Sequence, residues 1–370
     1  MVKLINNLIG IRDKPLNELL GYYLPTAIKG EISRHFPSYL LRQPIRPRTA
    51  GLNITDNCSL RCIMCNGGRN YSKDELDTEG WRDILRQLKE VGIRQVGFTG
   101  GEPLLHKDIV ELVRYTNNLG LRVGIVTNGY LLTEKRAIEL IEAGISNISI
   151  SVDALGETYD YIRGVKGGFE KVHHACNTIS LLKRRYNFGV KILSTIMKPT
   201  LNHIIDVVRF AESLGFPVHL NLLDYTPYFF RREDNKDLWI EERDQERLNR
   251  LVDELLEIKK EKDWLIGENI SALNYIKDYF RDPLQKQIPC ISSLTRIFIS
   301  SSGEILGGCW SMGSMGDIRK SSLKEVINSS RYIDAHKRMF LKECPGCSCG
   351  YAVNLKYLLP SLVKNLRNLR

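Results

Sequence analysis

The 370-residue chain has no apolar run near the roughly 20 residues that a membrane-spanning helix needs. Its first seven residues are too polar for the continuous apolar core of a signal peptide. The absence of both signals predicts a cytoplasmic protein. A cytoplasmic protein lies in a reducing compartment, where a disulfide framework is rare.

The main body of the chain also has little excess of charge of either sign. The net charge is +10, but residues 1–49 hold eight Lys or Arg against three Asp or Glu, and residues 351–370 hold four against none. A nucleic-acid enzyme more often carries its basic residues around its cleft, so no nucleic-acid partner is expected. Two basic ends instead predict peripheral contact with an acidic surface, such as the inner face of the membrane.

Three of the nine cysteines fall within eight residues, and no fourth lies close by. Cys58, Cys62 and Cys65 have the spacing Cys-x3-Cys-x2-Cys and directly follow an apolar run, 51–55, that predicts a buried strand. A closed structural zinc site has four protein ligands, whereas three leave one position open. The pattern therefore predicts a soft-metal site with an open position. Cys176 stands alone in a helical pattern and is interpreted as a small buried hydrophobe.

Between residues 50 and 225 strand patterns alternate with helical ones, which predicts a parallel sheet with right-handed crossovers. Six such units favour a partial barrel or a doubly wound sheet, and both bind ligands at the carboxyl ends of their strands. The predicted strands are 51–55, 95–99, 122–127, 147–152, 190–196 and 218–223. The predicted helices are 78–91, 107–119, 134–143, 169–185 and 202–214.

The remaining segments differ in pattern from this core. Residues 1–49 form an amphipathic helical segment, interpreted either as a lid on the main domain or as an interfacial segment. Residues 231–285 are a charge-rich helical connector, and 286–350 are a cysteine-containing module with a predicted β-hairpin, 296–300 and 304–306. Residues 351–370 place leucines in a stripe among lysines and arginines, which predicts a basic amphipathic helix.

The cysteine triplet, together with Gly100-Gly101-Glu102-Pro103 after the second strand, resembles the signature of the radical S-adenosylmethionine (radical SAM) enzymes. The resemblance covers roughly residues 50–225 and implies an α/β fold, a partial (βα)6 TIM-like barrel. It further implies that the three thiolates bind three irons of a [4Fe-4S] cluster, whose fourth iron binds S-adenosylmethionine.

The same resemblance implies roles for residues at the strand ends. Glu102 would accept a hydrogen bond from the cofactor amino group, beside Gly100 and Gly101. Arg163 is a candidate partner of the cofactor carboxylate, and Met64 of the adenine. The candidate residues for the ribose are Asn128, Ser149, Ser151 and Asp153.

The later cysteines resemble the auxiliary-cluster module called SPASM, or its shorter form, twitch. One auxiliary [4Fe-4S] cluster is expected, with Cys349 as an alternative ligand to Cys347. A four-cysteine zinc site is the other interpretation of this group. The expected ligands are Cys290, Cys309, Cys344 and Cys347.

The sequence leaves the substrate open, and no catalytic residue is assigned beyond the candidates Tyr225, Tyr228 and Trp310. The basic ends favour a lipid or isoprenoid at the membrane surface. The alternative substrates are a peptide or protein and a sugar-like alcohol that the enzyme would oxidise. A reductant such as flavodoxin or ferredoxin is the expected partner. A non-enzymatic electron carrier or metal scaffold is the competing class, against which the Gly-Gly-Glu-Pro motif argues.

Overall fold

The computed structural model describes residues 47–66, 74–224, 236–283, 295–309 and 312–340. The predicted terminal helices therefore lie outside the described residues, apart from residues 47–49. So do Tyr225, Tyr228 and Trp310, as well as Cys290, Cys344, Cys347 and Cys349. No helix within the described ranges combines the length and apolarity needed to cross a bilayer.

Within the described residues, a nine-stranded sheet has the strand order β6-β5-β4-β3-β2-β1-β7-β8-β9. The first six strands pair in parallel, as predicted for the barrel. Their bounds are β1 Thr49–Thr55, β2 Gln95–Gly100, β3 Arg122–Thr127, β4 Asn147–Ser151, β5 Gly189–Ile196 and β6 Val218–Leu222. The predicted α/β partial-barrel class is confirmed.

Helices follow the strands in the manner of right-handed crossover units. Those of the barrel are α1 Thr78–Glu90, α2 Ile109–Asn118, α3 Glu134–Glu142, α4 Gly156–Arg163, α5 Gly168–Lys183 and α6 Ile204–Ser213. Those that come later are α7 Gln245–Glu261, α8 Ile270–Tyr279, α9 Leu323–Ile327 and α10 Ser330–Phe340. Helix α4 is the one barrel helix that the sequence pattern missed.

Four barrel helices are followed by glycines with the left-handed backbone that helix caps need. Their φ angles lie between 71° and 93° at Gly92, Gly120, Gly144 and Gly215. One or two residues separate each of these glycines from the strand that follows it.

The two faces of the barrel sheet differ in chemistry because side chains alternate along each strand. One face carries fully buried aliphatic and aromatic residues such as Leu52, Phe98 and Ile150, which belong to the core shared with the helices. The opposite face carries smaller or polar residues. Along it, Val126, Ser149 and Lys191 are in register across β3, β4 and β5.

The predicted hairpin forms, but it is not a separate layer. Strand β7, Arg296–Ile299, pairs in parallel with β1 and antiparallel with β8, Glu304–Ile305. Strand β9, Gly316–Asp317, completes this edge. The connector also contributes to the sheet, because Ile266 forms a parallel bridge with Val218 of β6.

Candidate functional site

The cysteine triplet lies on the loop that follows β1, with all three thiols half-buried and free of disulfides. The backbone of the Gly-Gly-Glu-Pro turn holds the start of this loop. Gly101 N donates to Thr55 O at 2.7 Å, and Glu102 N donates to Asn57 O at 2.6 Å. The end of β2 thus fixes the chain that carries the first cysteine.

Glycine is required at this junction. At Gly100, where φ is +130°, an added Cβ would lie 2.3 Å from Thr55 O. At Gly101 it would lie 2.1 Å from Asn57 O. Both contacts are far inside the distance that real Cβ atoms keep, so the two backbones approach this closely only because neither position has a side chain.

Glu75 is a residue of this site that the sequence did not suggest. Its carboxylate accepts from Thr55 Oγ1 at 2.9 Å and from Asp56 N at 2.5 Å. The next residue, Leu76, donates its N–H to Ser301 O in the β7–β8 turn at 2.8 Å. Segment 74–77 therefore links the cysteine loop to the C-terminal hairpin.

Glu102 is fully buried and joins the ends of two strands. Its Oε1 accepts from Thr127 Oγ1 at 2.8 Å and from Leu104 N at 3.1 Å, and its Oε2 accepts from Asn128 N at 2.8 Å. Burial raises the pKa of this carboxyl, although the three hydrogen bonds oppose the shift. Oε2 accepts one bond where a carboxylate oxygen has room for two.

Asn128 turns its side chain toward the cysteine loop. Its Nδ2 lies 4.0 Å from Cys58 Sγ, while its Oδ1 accepts from Tyr130 N at 2.9 Å. The end of β3 and the first cysteine are therefore neighbours. The ribose role predicted for Asn128 stays a prediction.

Arg163 is buried at the end of α4 beside the second cysteine. Its Nη1 lies 3.8 Å from Cys62 Sγ, and its Nη2 lies 2.6 Å from Asp153 Oδ2. Tyr159 faces the guanidinium, with its ring centre 5.5 Å away. Asp153 was predicted to bind the ribose. In the structure its carboxylate pairs with Arg163, and its Oδ1 accepts from Thr195 N at 2.8 Å.

The two serines predicted for the ribose lie on the same face of β4. Ser149 is buried and its Oγ accepts from Asn147 Nδ2 at 2.9 Å, whereas Ser151 is half-buried. Met64, predicted to pack near the adenine, is buried in the hydrophobic core. Cys176 is fully buried in α5, as predicted, and burial raises its pKa to about 12.

The thiols are electrostatically coupled. Burial, with smaller contributions from Cys62, Glu102 and Cys65, raises the pKa of Cys58 to about 11, against the hydrogen bond from the Leu60 backbone. Burial also raises the pKa of Cys62, opposed by Arg163. A bound cation would stabilise the thiolate forms of Cys58 and Cys62.

The residues present fit both a cluster and S-adenosylmethionine. Within the described ranges, no three His, Cys, Asp or Glu side chains converge as ligands of a single metal ion. Thiolates that each bind a different iron of one cluster need not converge on one point. Arg163 Nε is buried with no hydrogen-bond partner among the described residues, which leaves a donor for an anionic group.

Of the second cysteine group, the structure describes one member. Cys309 is half-buried and packs against the core after β8. The other predicted ligands of this group lie outside the described residues, so the ligand set stays a prediction.

Comparison with known proteins identifies two domains. Residues 52–211 match the family model of the radical SAM superfamily, and residues 290–349 match that of an iron-sulfur cluster-binding domain, SPASM. Proteins with these domains use [4Fe-4S] clusters and S-adenosylmethionine, which confirms the predicted cofactor classes.

Two curated relatives align with parts of the chain. An AdoMet-dependent heme synthase of Methanosarcina barkeri is 33% identical over 172 residues, which are 46% of this chain and 48% of that protein. A PqqA peptide cyclase of Bradyrhizobium diazoefficiens is 29% identical over 170 residues, 45% of this chain and 44% of that protein. The chain thus aligns with about half the length of these relatives.

Solved structures share the fold. Streptococcus suis SuiB bound to S-adenosylmethionine has a TM-score of 0.59 at 17% identity, covering 87% of this chain and 72% of that one. Native anSMEcpe with bound AdoMet has a TM-score of 0.62 at 18% identity, covering 87% of this chain and all of that one. At these identities the likeness supports the fold alone.

Proposed function

Because this chain contains a radical SAM domain followed by an iron-sulfur cluster-binding domain, we propose that it is an enzyme that modifies its substrate by hydrogen-atom abstraction. With both cofactors bound, the cluster would supply the electron that cleaves S-adenosylmethionine to methionine and a 5′-deoxyadenosyl radical, and that radical would remove a hydrogen atom from an unactivated C–H bond. The observation that carries this proposal is the buried Glu102 beside the three-thiol loop. An electron carrier has no use for such a carboxylate there.

The contacts of the chain's residues support a role for each of them. Cys58, Cys62 and Cys65 would bind the cluster, and Oε2 of Glu102 would accept from the amino group of the cofactor. Nε of Arg163, which has no hydrogen-bond partner in the described part of the chain, would donate to its carboxylate. The packing that buries Glu102 and Arg163 keeps water from these charged groups, which strengthens their interactions.

The decisive experiment uses anaerobically reconstituted full-length protein with dithionite and S-adenosylmethionine. We expect 5′-deoxyadenosine and methionine to form, and Cys62→Ala to abolish both. Cys176→Ala is the matched control, because it removes a buried thiol of α5, outside the cysteine loop, and should leave product formation unchanged. Without 5′-deoxyadenosine from the wild type, the proposal fails.

The inner face of the barrel supports a substrate with a polar or ionisable group. Ser151, Leu193 and His219 are in register across β4, β5 and β6, so His219 lies roughly 10 Å from Ser151 at the usual strand spacing. His219 Nδ1 is 3.5 Å from Oε1 of Glu268, whose other oxygen is buried without a hydrogen-bond partner in the described part of the chain. Burying such a group without a partner costs free energy, which a polar substrate would recover.

A lipid or isoprenoid at an anionic membrane surface is the second candidate substrate, and the basic ends of the sequence favour it. Sedimentation with anionic liposomes tests this. We expect binding that weakens with salt and falls on deletion of residues 351–370. Equal sedimentation of the intact and truncated proteins would remove the membrane from the proposal.

A peptide substrate is the third candidate, since a relative's name describes a peptide cyclase. Oxidation of a sugar-like alcohol remains the fourth. Deuterium transfer from labelled candidates into 5′-deoxyadenosine distinguishes these classes, because the label moves only from the hydrogen that is removed. Flavodoxin or ferredoxin is the proposed electron donor in each case.

A further inference from the structure

We propose that Arg163 tunes the reduction potential of the cluster that the three-thiol loop would bind. It does so through Cys62, by donating a hydrogen bond to the ligand sulfur. This inference rests on the proposed radical function, and it adds a role to Arg163 beyond contact with the cofactor carboxylate.

The guanidinium is directed at the sulfur by contacts on its other sides. Nη1 lies 3.8 Å from Cys62 Sγ, within the range of a hydrogen bond to sulfur, and Nη2 lies 2.6 Å from Asp153. Asp153 is itself fixed by the N–H of Thr195. The planar fork of arginine suits such a bridge, since its two ends serve two acceptors at once.

The backbone holds the same two segments together. Arg61 N donates to Arg163 O at 3.2 Å, and Ile63 N donates to Ile162 O at 2.9 Å, on either side of Cys62. Gly164 follows with φ +65°, where a Cβ would lie 2.5 Å from Arg61 O. The last turn of α4 is thus docked on the cysteine loop, which keeps the distance from guanidinium to sulfur short.

Burial makes this charge effective. The side chains of Arg163 and Asp153 are 8% and 1% exposed, so water and salt screen them little. Reduction adds an electron to a cluster, and a hydrogen bond to a ligand sulfur stabilises the added charge. Arg163 should therefore raise the potential, and the carboxylate of Asp153 should lower it.

The test is an EPR-monitored redox titration of reconstituted full-length protein, following the signal that changes when S-adenosylmethionine is added. For Arg163→Gln we expect the ratio of reduced to oxidised cluster at a fixed potential to fall about tenfold, which is about 59 mV for one electron. For Arg163→Lys this ratio should fall by less. Asp153→Asn should shift the potential in the opposite direction.

Arg61→Gln is the matched control. Arg61 lies on the same loop and donates to the carbonyls of Cys58 and Leu60, but no contact with a sulfur is described for it and it is exposed. It should leave the potential unchanged. If Arg163 had a merely structural role, Arg163→Gln and Asp153→Asn would shift the reduction potential in the same direction. That result would overturn the proposal.

An unchanged potential in Arg163→Gln would also overturn it. If Arg163→Gln does not bind iron, Arg163→Lys and Asp153→Asn decide. Absence of a cluster signal, or of S-adenosylmethionine cleavage, in the wild type would instead refute the proposed function.

Discussion

The carboxylate of Glu102 accepts the backbone N–H of Asn128 at 2.8 Å, so the end of β2 is hydrogen-bonded to the end of β3. A buried carboxylate thereby serves the architecture of the sheet edge as well as the chemistry proposed for it. Burying the ionised form of this carboxyl away from water costs free energy in the cofactor-free protein.

Glu102→Gln keeps the shape of the side chain but removes its ionisation, so it should change how the free energy of unfolding depends on pH. The pKa of Glu102 is raised in the folded state, so the folded protein binds a proton that the unfolded chain has released above about pH 4.5. Wild-type stability should therefore fall, relative to the Gln variant, as pH rises above that point. The slope can reach about 1.4 kcal/mol per pH unit.

Urea unfolding of both cofactor-free proteins between pH 4.5 and 7 measures this difference. A difference in free energy of unfolding that stays constant over the range would contradict the raised pKa.

Gly101→Ala should displace the cysteine loop. The new Cβ would meet the backbone of Asn57 and Asp56, and overpacking of this kind costs about 1–3 kcal/mol. We expect a lower melting temperature and the loss of iron from the loop, measured by iron analysis. Gly97→Ala in β2 is the control, because the nearest neighbour of its new Cβ would be 3.9 Å away. Equal iron content in both variants would contradict the close approach.

Glu75→Ala should loosen the start of the loop. It leaves the N–H of Asp56 and the hydroxyl of Thr55 without the acceptor that Glu75 supplies, a loss of about 1–3 kcal/mol. Chemical denaturation gives the free energy, and the rate of iron loss to a chelator reports on the loop. Glu79→Ala is the control, since Glu79 is 72% exposed and its ion pair is with Arg82, not with the cysteine loop. The idea fails if the two variants release iron equally fast.

Two clusters should be present in the reconstituted protein, about eight irons per chain from the ligand counts of such sites. Cys309→Ala should remove about half of that iron and leave the signal of the first cluster in place. Iron near four per chain together with bound zinc would instead favour the zinc interpretation of the later cysteines.

The sequence predicted the parts of this structure that depend on local pattern. The six barrel strands fall within a residue or two of their predicted bounds, because alternating apolar runs and glycine caps mark them. Helix α4 was missed because it spans eight residues and begins with Gly156, a weak helical signal.

The site was predictable where a motif marks it and obscure elsewhere. Glu75 belongs to no motif, and only the fold brings it to Thr55. The link between Arg163 and Cys62 crosses 101 residues of sequence, so no local spacing could indicate it.

The parallel pairing of β7 with β1 joins the barrel and the C-terminal hairpin in one continuous sheet. A truncation before residue 296 would expose the hydrogen-bonding edge of β1, the strand that leads into the cysteine loop. Open edges of this kind recruit other chains and aggregate. A fragment that ends before β7 should therefore aggregate, and the first expected effect of deleting the C-terminal hairpin is a loss of solubility.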